Sequence, residues 1–533
     1  MRFKPIEDHT TTTDGKQKRD SGAKRGHVLL SAVSLMAGAA IVLAGCSARS
    51  QSAPDNSAGP DSTAEMDRAA TFVWGAPVAP TMLDPHKTPN SQDALYLRPV
   101  YDTLVSVGND GTLSPQLAKE WKFTDDSTLM MTLREGVTFS DGEPFDAEAV
   151  VANIEAGKAG GPQQQAALAS ITSVKAADTA TVVLSLGEKR GTTLGQLATM
   201  AGMMVSPKAI KSGDLASTSA GTGPYQITSV RPDEVDLQRS ESSWVKDQAG
   251  AAVLKMKVVP DQQSRLNQLK SGEITATNTD LKSFKALGPG FHKAAAAEYG
   301  QLVMPINQNG VFKSVDARRA VDLAMDRAAV LNATYGEGEP NVQLFPKSHP
   351  VFVPDLEHGA DVEEAKRLAE SSGLAGKTIR LLSLNVSTTM AVSEGVAGML
   401  EKVGAKVEIV PVEATVHTQE WGTGKYDLTI IYNLGHPDPA VLFQNLIGEN
   451  AVLNLNGAPP ASVAEPLAAA LNTAPSEERT KTLQAVAKAI TEDETVLSVM
   501  HTAIQVVGGK SAVGLRPYQT GLPSLRGVGV AAK

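Results

Sequence analysis

The sequence predicts a multi-domain α/β protein set behind an export signal. Three observations point there. Strand and helix patterns alternate through the second half of the chain, a rhythm that favours a parallel or mixed sheet. Roughly 460 residues carry such patterns, enough for two or three domains. A lone cysteine, Cys46, ends an apolar run near the start.

The run from Val28 to Leu43 follows Lys16, Lys18, Arg19, Lys24 and Arg25 and is itself uncharged. A basic segment before a short apolar stretch is the pattern of a secretory signal. The run is shorter than the ~20 residues of a permanent spanning helix. Leu43-Ala44-Gly45-Cys46 places small residues before a thiol, as a bacterial lipoprotein signal requires. We therefore expect 1–45 to be a signal peptide and Cys46 to carry lipid. The rest would face outside the cytoplasm, held to the cell membrane by that anchor. The stretch 46–70 is rich in Ser, Ala, Pro, Asp and Gly and reads as a flexible tether.

The chain holds 49 basic and 58 acidic residues; the first 45 hold 7 and 4, leaving 42 and 54. A net charge of −12 on the mature part gives no basic surface for nucleic acid. With Cys46 lipidated, no thiol is left for a disulfide or a thiolate metal site. Nothing after Leu43 is long and apolar enough to span a bilayer.

Thr71-Phe72-Val73-Trp74 is the first strand-like run, followed by Gly75 and a proline-containing loop. Thr128–Arg134 alternates, with Leu129, Met131 and Leu133 on one face. A helix is expected over Ala147–Ala156 with Asp146 as N-cap. Strands are expected at Val182–Leu186, at Tyr225–Val230 and around Leu254, Met256 and Val258. In the second half Asp316 is read as the cap of a helix striped by Ala317, Ala320, Val321, Ala324, Ala328 and Leu331. A helix over Val362–Ser371 ends at Gly373. Then follow strand Ile379–Leu384, helix Ala391–Val403, strand Val407–Val410 and strand Asp427–Tyr432. Helix Arg479–Ile490 carries the stripe Leu483, Val486, Ala487 and Ile490.

Ligands on such sheets sit outside the carboxyl ends of the strands. The segment after Tyr432, running through Asn433, Gly435, His436 and Asp438, is thus the first candidate wall of a pocket. Trp421, just before the strand, joins it as a large aromatic surface suited to a ligand. For each of these residues a structural role competes: core packing for Trp421, an exposed loop for His436, and fixing the turn between two prolines for Asp438.

No catalytic set assembles. There is no Gly-x-Ser-x-Gly elbow and no phosphate-binding Gly-x-x-x-x-Gly-Lys-Ser/Thr loop. The nine histidines form no His-x-x-x-His pair, so neither a resident metal nor another cofactor is expected. Gly221-Thr222-Gly223-Pro224-Tyr225 has a proline where a phosphate cradle needs an N–H donor, and reads as a turn. An anchored extracellular hydrolase is the alternative that this absence disfavours.

From about Thr71 to Pro517 the chain resembles the solute-binding proteins of ABC importers, in the peptide/nickel family 5. The carrying motifs are Leu83-Asp84-Pro85, Tyr101-Asp102-Thr103-Leu104, Pro115-Gln116-Leu117-Ala118 and the block from Leu133 to Phe145. They continue with Gly221 to Tyr225, Asp316 to Ala320, Ala324 to Arg327, Tyr426-Asp427-Leu428 and Asp438-Pro439. The resemblance implies a periplasmic-binding-protein-like type II fold: two α/β lobes with a hinge, plus an extra domain. Lobe I would use 70–108, 222–303 and 501–533, the extra domain 109–221, and lobe II 304–500. It further implies a monomeric receptor, not an enzyme, that closes on a small-molecule or peptide ligand and docks on ABC permease subunits.

One departure stands out. Peptide-binding relatives place an amine-pairing aspartate three residues before the motif matched by Asp438-Pro439, and here that position is Gly435. A buried ammonium without a counter-charge is costly. Peptide remains the leading ligand implied by the family. Nickel chelates, opines and oligosaccharides are the alternatives.

Overall fold

The computed structural model describes residues 65–533 except 109–111, 214, 216–218, 337, 434, 517–521 and 533. The expected signal, Cys46 and all but the end of the tether lie outside the described residues. No described helix is long and apolar enough to cross a membrane.

Two long antiparallel strands, His292–Pro305 and Val496–Gly508, organise the body. They run side by side through the middle of an 11-stranded sheet. On one side lie Leu428–Asn433, Thr378–Leu384 and Lys406–Val412, mutually parallel. On the other lie Ala276–Thr279, Thr71–Ala76 and Val253–Val258, also parallel, and then the antiparallel pair Glu234–Arg239 and Tyr225–Arg231. One end of each long strand therefore belongs to each half. Between Ala297 and Gln301 the register of the long pair shifts. Such an irregularity breaks the regular ladder locally and lets the strands bend.

Each half has its own core. Phe72, Tyr96, Tyr101, Tyr225 and Leu254 gather in the first. Leu302, Val321, Leu381, Val396 and Ile430 gather in the second. A separate four-stranded antiparallel sheet takes Ala118–Asp125, Thr128–Leu133, Thr181–Leu186 and Ile171–Asp178. Leu129, Met131 and Leu133 point from it into a third core with Val150 and Ile154.

Local chemistry accounts for most elements. Asp146 caps Ala147–Lys158 by accepting from the Ala149 N–H at 2.9 Å. Asp361 caps Val362–Ser371, and Gly373 follows with a left-handed φ of +76°. The stripe Leu483, Val486, Ala487 and Ile490 is buried along Glu477–Asp493. Gly221 allows a close approach: a Cβ there would stand 2.0 Å from the Val100 carbonyl oxygen. The motif around Asp102 is a structural tie. Its buried carboxylate accepts from Gln116 at 2.8 Å, Thr222 at 2.8 Å and the Trp244 indole at 2.9 Å, and pairs with Arg526 at 2.6 Å.

Two expectations need correction. Ser314, not Asp316, caps the helix Val315–Ala324 by accepting from the Ala317 N–H; Asp316 sits in the first turn, where a carboxylate favours the helix dipole. The stripe also does not run on through Ala328. The helix stops, Asp326 caps a second helix Arg327–Thr334, and Ala328 faces out.

Candidate functional site

A cavity of about 280 Å³ lies where the two halves of the sheet meet. Trp74, Pro77 and Val78 reach it from the end of the first strand, and Asn278 and Thr279 from the end of Ala276–Thr279. Tyr432 reaches it from the end of Leu428–Asn433, and Tyr335 from beyond Arg327–Thr334. Thr502 and Gln505 come from a long shared strand, and Leu522 and Pro523 from the C-terminal segment. The carboxyl ends of parallel strands from both halves thus converge on one space, as such sheets dictate.

Its polar chemistry is distinctive. Trp74 Nε1, Asn278 Oδ1, Thr279 Oγ1 and Gln505 Nε2 are buried and hydrogen-bond to no group among the described residues. All four belong to residues lining the cavity. Thr279 and Gln505 are direct neighbours across the strand pair. Buried polar groups in folded proteins nearly always find partners, so four such atoms on residues around one cavity set this place apart in the fold. None of the described lining residues is Asp, Glu, Lys, Arg or His.

The residues nominated from sequence separate. Tyr432 lines the cavity. Asn433 follows at the strand end, half-buried, with its Nδ2 unpartnered, but does not line the space. Gly435 and His436 are half-buried and also lie off the lining. His436 Nδ1 accepts from the Asp438 N–H at 2.9 Å. Burial pulls the His436 pKa down, against the pull of the Asp438 carboxylate, so the imidazole stays neutral and serves the turn.

Asp438 is buried and fully engaged. It caps Pro439–Ile447 through the Ala440 N–H at 2.9 Å, and both its oxygens accept from Arg479 at 2.8 and 2.9 Å. Trp421 is wholly buried in the helix Ala414–Gly422, packed with Leu382 and Tyr426, and its indole donates to the Leu453 carbonyl at 3.0 Å. Neither lines the cavity, and each fills the structural role that competed with ligand contact.

Trp74, Asn278, Thr279, Thr502 and Gln505 were not nominated from sequence. A signal for Trp74 existed. It stands near the end of an expected strand and before a loop, the same rule that nominated Tyr432.

Two α/β halves joined by two shared strands around an interfacial cavity define a class, the two-lobed binding-protein fold. Solved structures agree. NikA from Brucella suis in complex with Fe(III)-EDTA superposes with a TM-score of 0.76 at 21% identity, covering 86% of this chain and 100% of that one. The dipeptide binding protein from Pseudoalteromonas in complex with Met-Leu does so with a TM-score of 0.72 at 21% identity, with the same coverages. The fold is the α/β, type II periplasmic-binding-protein-like one, with two lobes and an extra domain.

The profile for "Bacterial extracellular solute-binding proteins, family 5 Middle" matches residues 112–452. The nickel-binding periplasmic protein of Escherichia coli is 27% identical over 411 residues, which are 70% of this chain and 77% of that protein. The probable D,D-dipeptide-binding periplasmic protein of the same organism is 24% identical over 473 residues, 83% and 90% of the two chains. A glutathione-binding protein of Salmonella paratyphi A is 26% identical over 349 residues, 63% and 68%. This chain belongs to the family 5 solute-binding proteins of ABC importers. Its relatives are binding proteins rather than enzymes.

Proposed function

We propose that this protein is the lipid-anchored capture subunit of an ABC importer and delivers a peptide-class solute to the permease. One observation carries the reading: a cavity lined from both halves of the sheet, whose lining residues hold four unpartnered polar atoms. A ligand there touches both halves at once, so its binding favours the closed arrangement over the open one. The shared strands His292–Pro305 and Val496–Gly508 are the hinge. Lobe I is 70–108, 222–303 and 501–533, the extra domain 109–221, and lobe II 304–500. Cys46 tethers the receptor beside its permease.

A second reading keeps the receptor and changes the cargo to a nickel chelate, an opine or an oligosaccharide. The missing carboxylate among the described lining residues favours it. A thermal-shift screen against peptides, nickel chelates, opines and oligosaccharides tests both, since a ligand of the folded state raises its melting temperature by mass action. Turnover of a hit would overturn the receptor reading. Cys46→Ala is expected to release the protein from the membrane and leave its affinity unchanged. Membrane retention of that variant in cell fractionation, or a weakened Kd, would contradict the separation of tether from pocket.

A further inference from the structure

The separate four-stranded sheet belongs to a body fixed to the first half of the main sheet. The Asp102 carboxylate ties Gln116 to Thr222, Trp244 and Arg526, and Thr103 bridges Met203. The helices Pro439–Ile447 and Ala461–Asn472 are fixed to the second half, where Phe443 and Leu467 share a core with Val303 of a long strand. These two bodies also touch each other, away from the shared strands.

After Thr181–Leu186 the chain turns through Arg190–Thr192 into the short helix Thr193–Gln196. The Lys189 N–H donates to Asn472 Oδ1 at 2.9 Å. Lys189 has a left-handed φ of +58°, a conformation that is costly for a lysine and persists where its surroundings impose it. A Cβ on Gly191 would stand 2.1 Å from the Thr473 carbonyl oxygen and 2.9 Å from that of Ala470. A Cβ on Gly195 would stand 2.7 Å from the Asp438 Cβ. Neither glycine has a left-handed φ, so the turn itself does not demand glycine there; the close approach does. On the facing side Arg479 holds both Asp438 and the Ala470 carbonyl, each at 2.8 Å, and so fixes the surface that the glycines meet.

We propose that Gly191, Gly195 and the Lys189–Asn472 hydrogen bond form a latch that is made only when the two halves close, and that this latch sets ligand affinity from outside the cavity. The proposal rests on the receptor reading and says how its site is held shut. None of these residues lines the cavity. Bending of the long strands at the register shift between Ala297 and Gln301 would part the two bodies and break the contact. Closing therefore gains the latch together with the ligand's own contacts, and a tenfold weaker latch lowers the apparent affinity by up to the same factor. The loss falls on dissociation, because ligand enters the open form, in which the latch is not made.

Gly191→Val tests the latch in the full chain carrying Cys46→Ala, which removes the only native cysteine. Nitroxide labels on Lys175→Cys and Lys481→Cys, both exposed, report the separation of the two bodies by pulsed electron resonance. The ligand-free protein is expected to show a short-distance population that Gly191→Val shifts to longer distance. Ala-Ala, nickel–EDTA and cellobiose serve as probes from three classes of the solute screen. Whichever binds is expected to bind Gly191→Val about tenfold more weakly, through faster dissociation at an unchanged association rate. Asn472→Ala, which removes the acceptor for the Lys189 N–H, is a milder variant should the first fail to fold, with an expected loss of about fivefold. Unchanged label distances, or an unchanged dissociation rate of a bound probe, overturn the latch and leave the receptor reading standing. If no probe binds, the ligand-free distances alone decide the latch. Silence of the whole solute screen removes the receptor reading instead.

Discussion

The turn 435–439 and the cavity beside Tyr432 are close in sequence and opposite in chemistry. In the turn every prominent polar group is matched. Asp438 holds Arg479 and the Ala440 N–H, and the His436 imidazole accepts from the Asp438 N–H. In the cavity, Trp74, Asn278, Thr279 and Gln505 each keep a buried polar atom without a protein partner. The difference separates two uses of buried polarity. Where the protein satisfies a group itself, the group fixes the fold. Where it leaves a buried group unsatisfied, that group costs stability.

The largest expected effect falls on the turn. Asp438→Ala leaves the Arg479 guanidinium buried without its partner and uncaps the following helix. Removing one partner of a buried pair costs about 3–5 kcal/mol, and the lost cap adds about 1. Chemical denaturation is expected to show that loss, while any protein that remains folded keeps its ligand preference. A variant of native stability would place Asp438 among the ligand-facing groups and blur the contrast. Tyr432→Ala is expected to do the reverse. Affinity for ligand should fall about tenfold, with a smaller change in unfolding free energy, because the ring faces the cavity and is only partly buried. An unchanged Kd by titration calorimetry would remove Tyr432 from the site.

Much of the fold was legible because its elements are amphipathic. Thr128–Leu133 alternates buried and half-buried residues without a break, and Glu477–Asp493 shows one clean stripe. The two strands that matter most were not legible. His292–Pro305 contains the run Ala294 to Ala297, which has little strand preference. Val496–Gly508 is apolar on successive positions, since it pairs on both sides in the middle of the sheet. The site was half legible for the same reason. The strand-end rule nominated Tyr432, which lines the cavity, but Gln505 and Thr279 meet only through a register that joins residues more than two hundred positions apart. Trp421 was nominated for its place before Gly422-Thr423-Gly424 and the following strand, and the structure packs it inside the helix Ala414–Gly422, off the cavity lining.

A third polar region sharpens the contrast from the other side, being matched in a way that depends on protons. Asp322 is buried against Arg327, with His358 Nε2 at 2.8 Å and Arg319 at 3.5 Å; Arg319 also pairs with Glu494, just before the shared strand Val496–Gly508. Burial opposes the Asp322 charge, yet Arg327 and His358 outweigh it and hold its pKa near about 2. The hydrogen bond to Asp322 raises the His358 pKa against burial. Burial, and then the nearby Asp322 charge, push Glu494 up to about 8 in spite of Arg319. The signs follow from which state holds the proton. Asp322 contributes stability above its ordinary value of 3.8, lost as pH falls through about 2. His358 contributes below 6.5 and Glu494 below 4.5, and both contributions are lost as pH rises through their raised folded values, about 8 for Glu494. Stability is therefore expected to peak between pH 3.8 and 4.5 and to decline towards a pH of about 8. His358→Gln should remove the part of the decline that begins above 6.5. Melting temperatures across this range check both, and a curve that stays level or rises from acid to neutral would refute the proton-dependent pairing. The effect should be the smallest of the three, because His358 keeps about a fifth of its side chain in water, where solvent screens the pair.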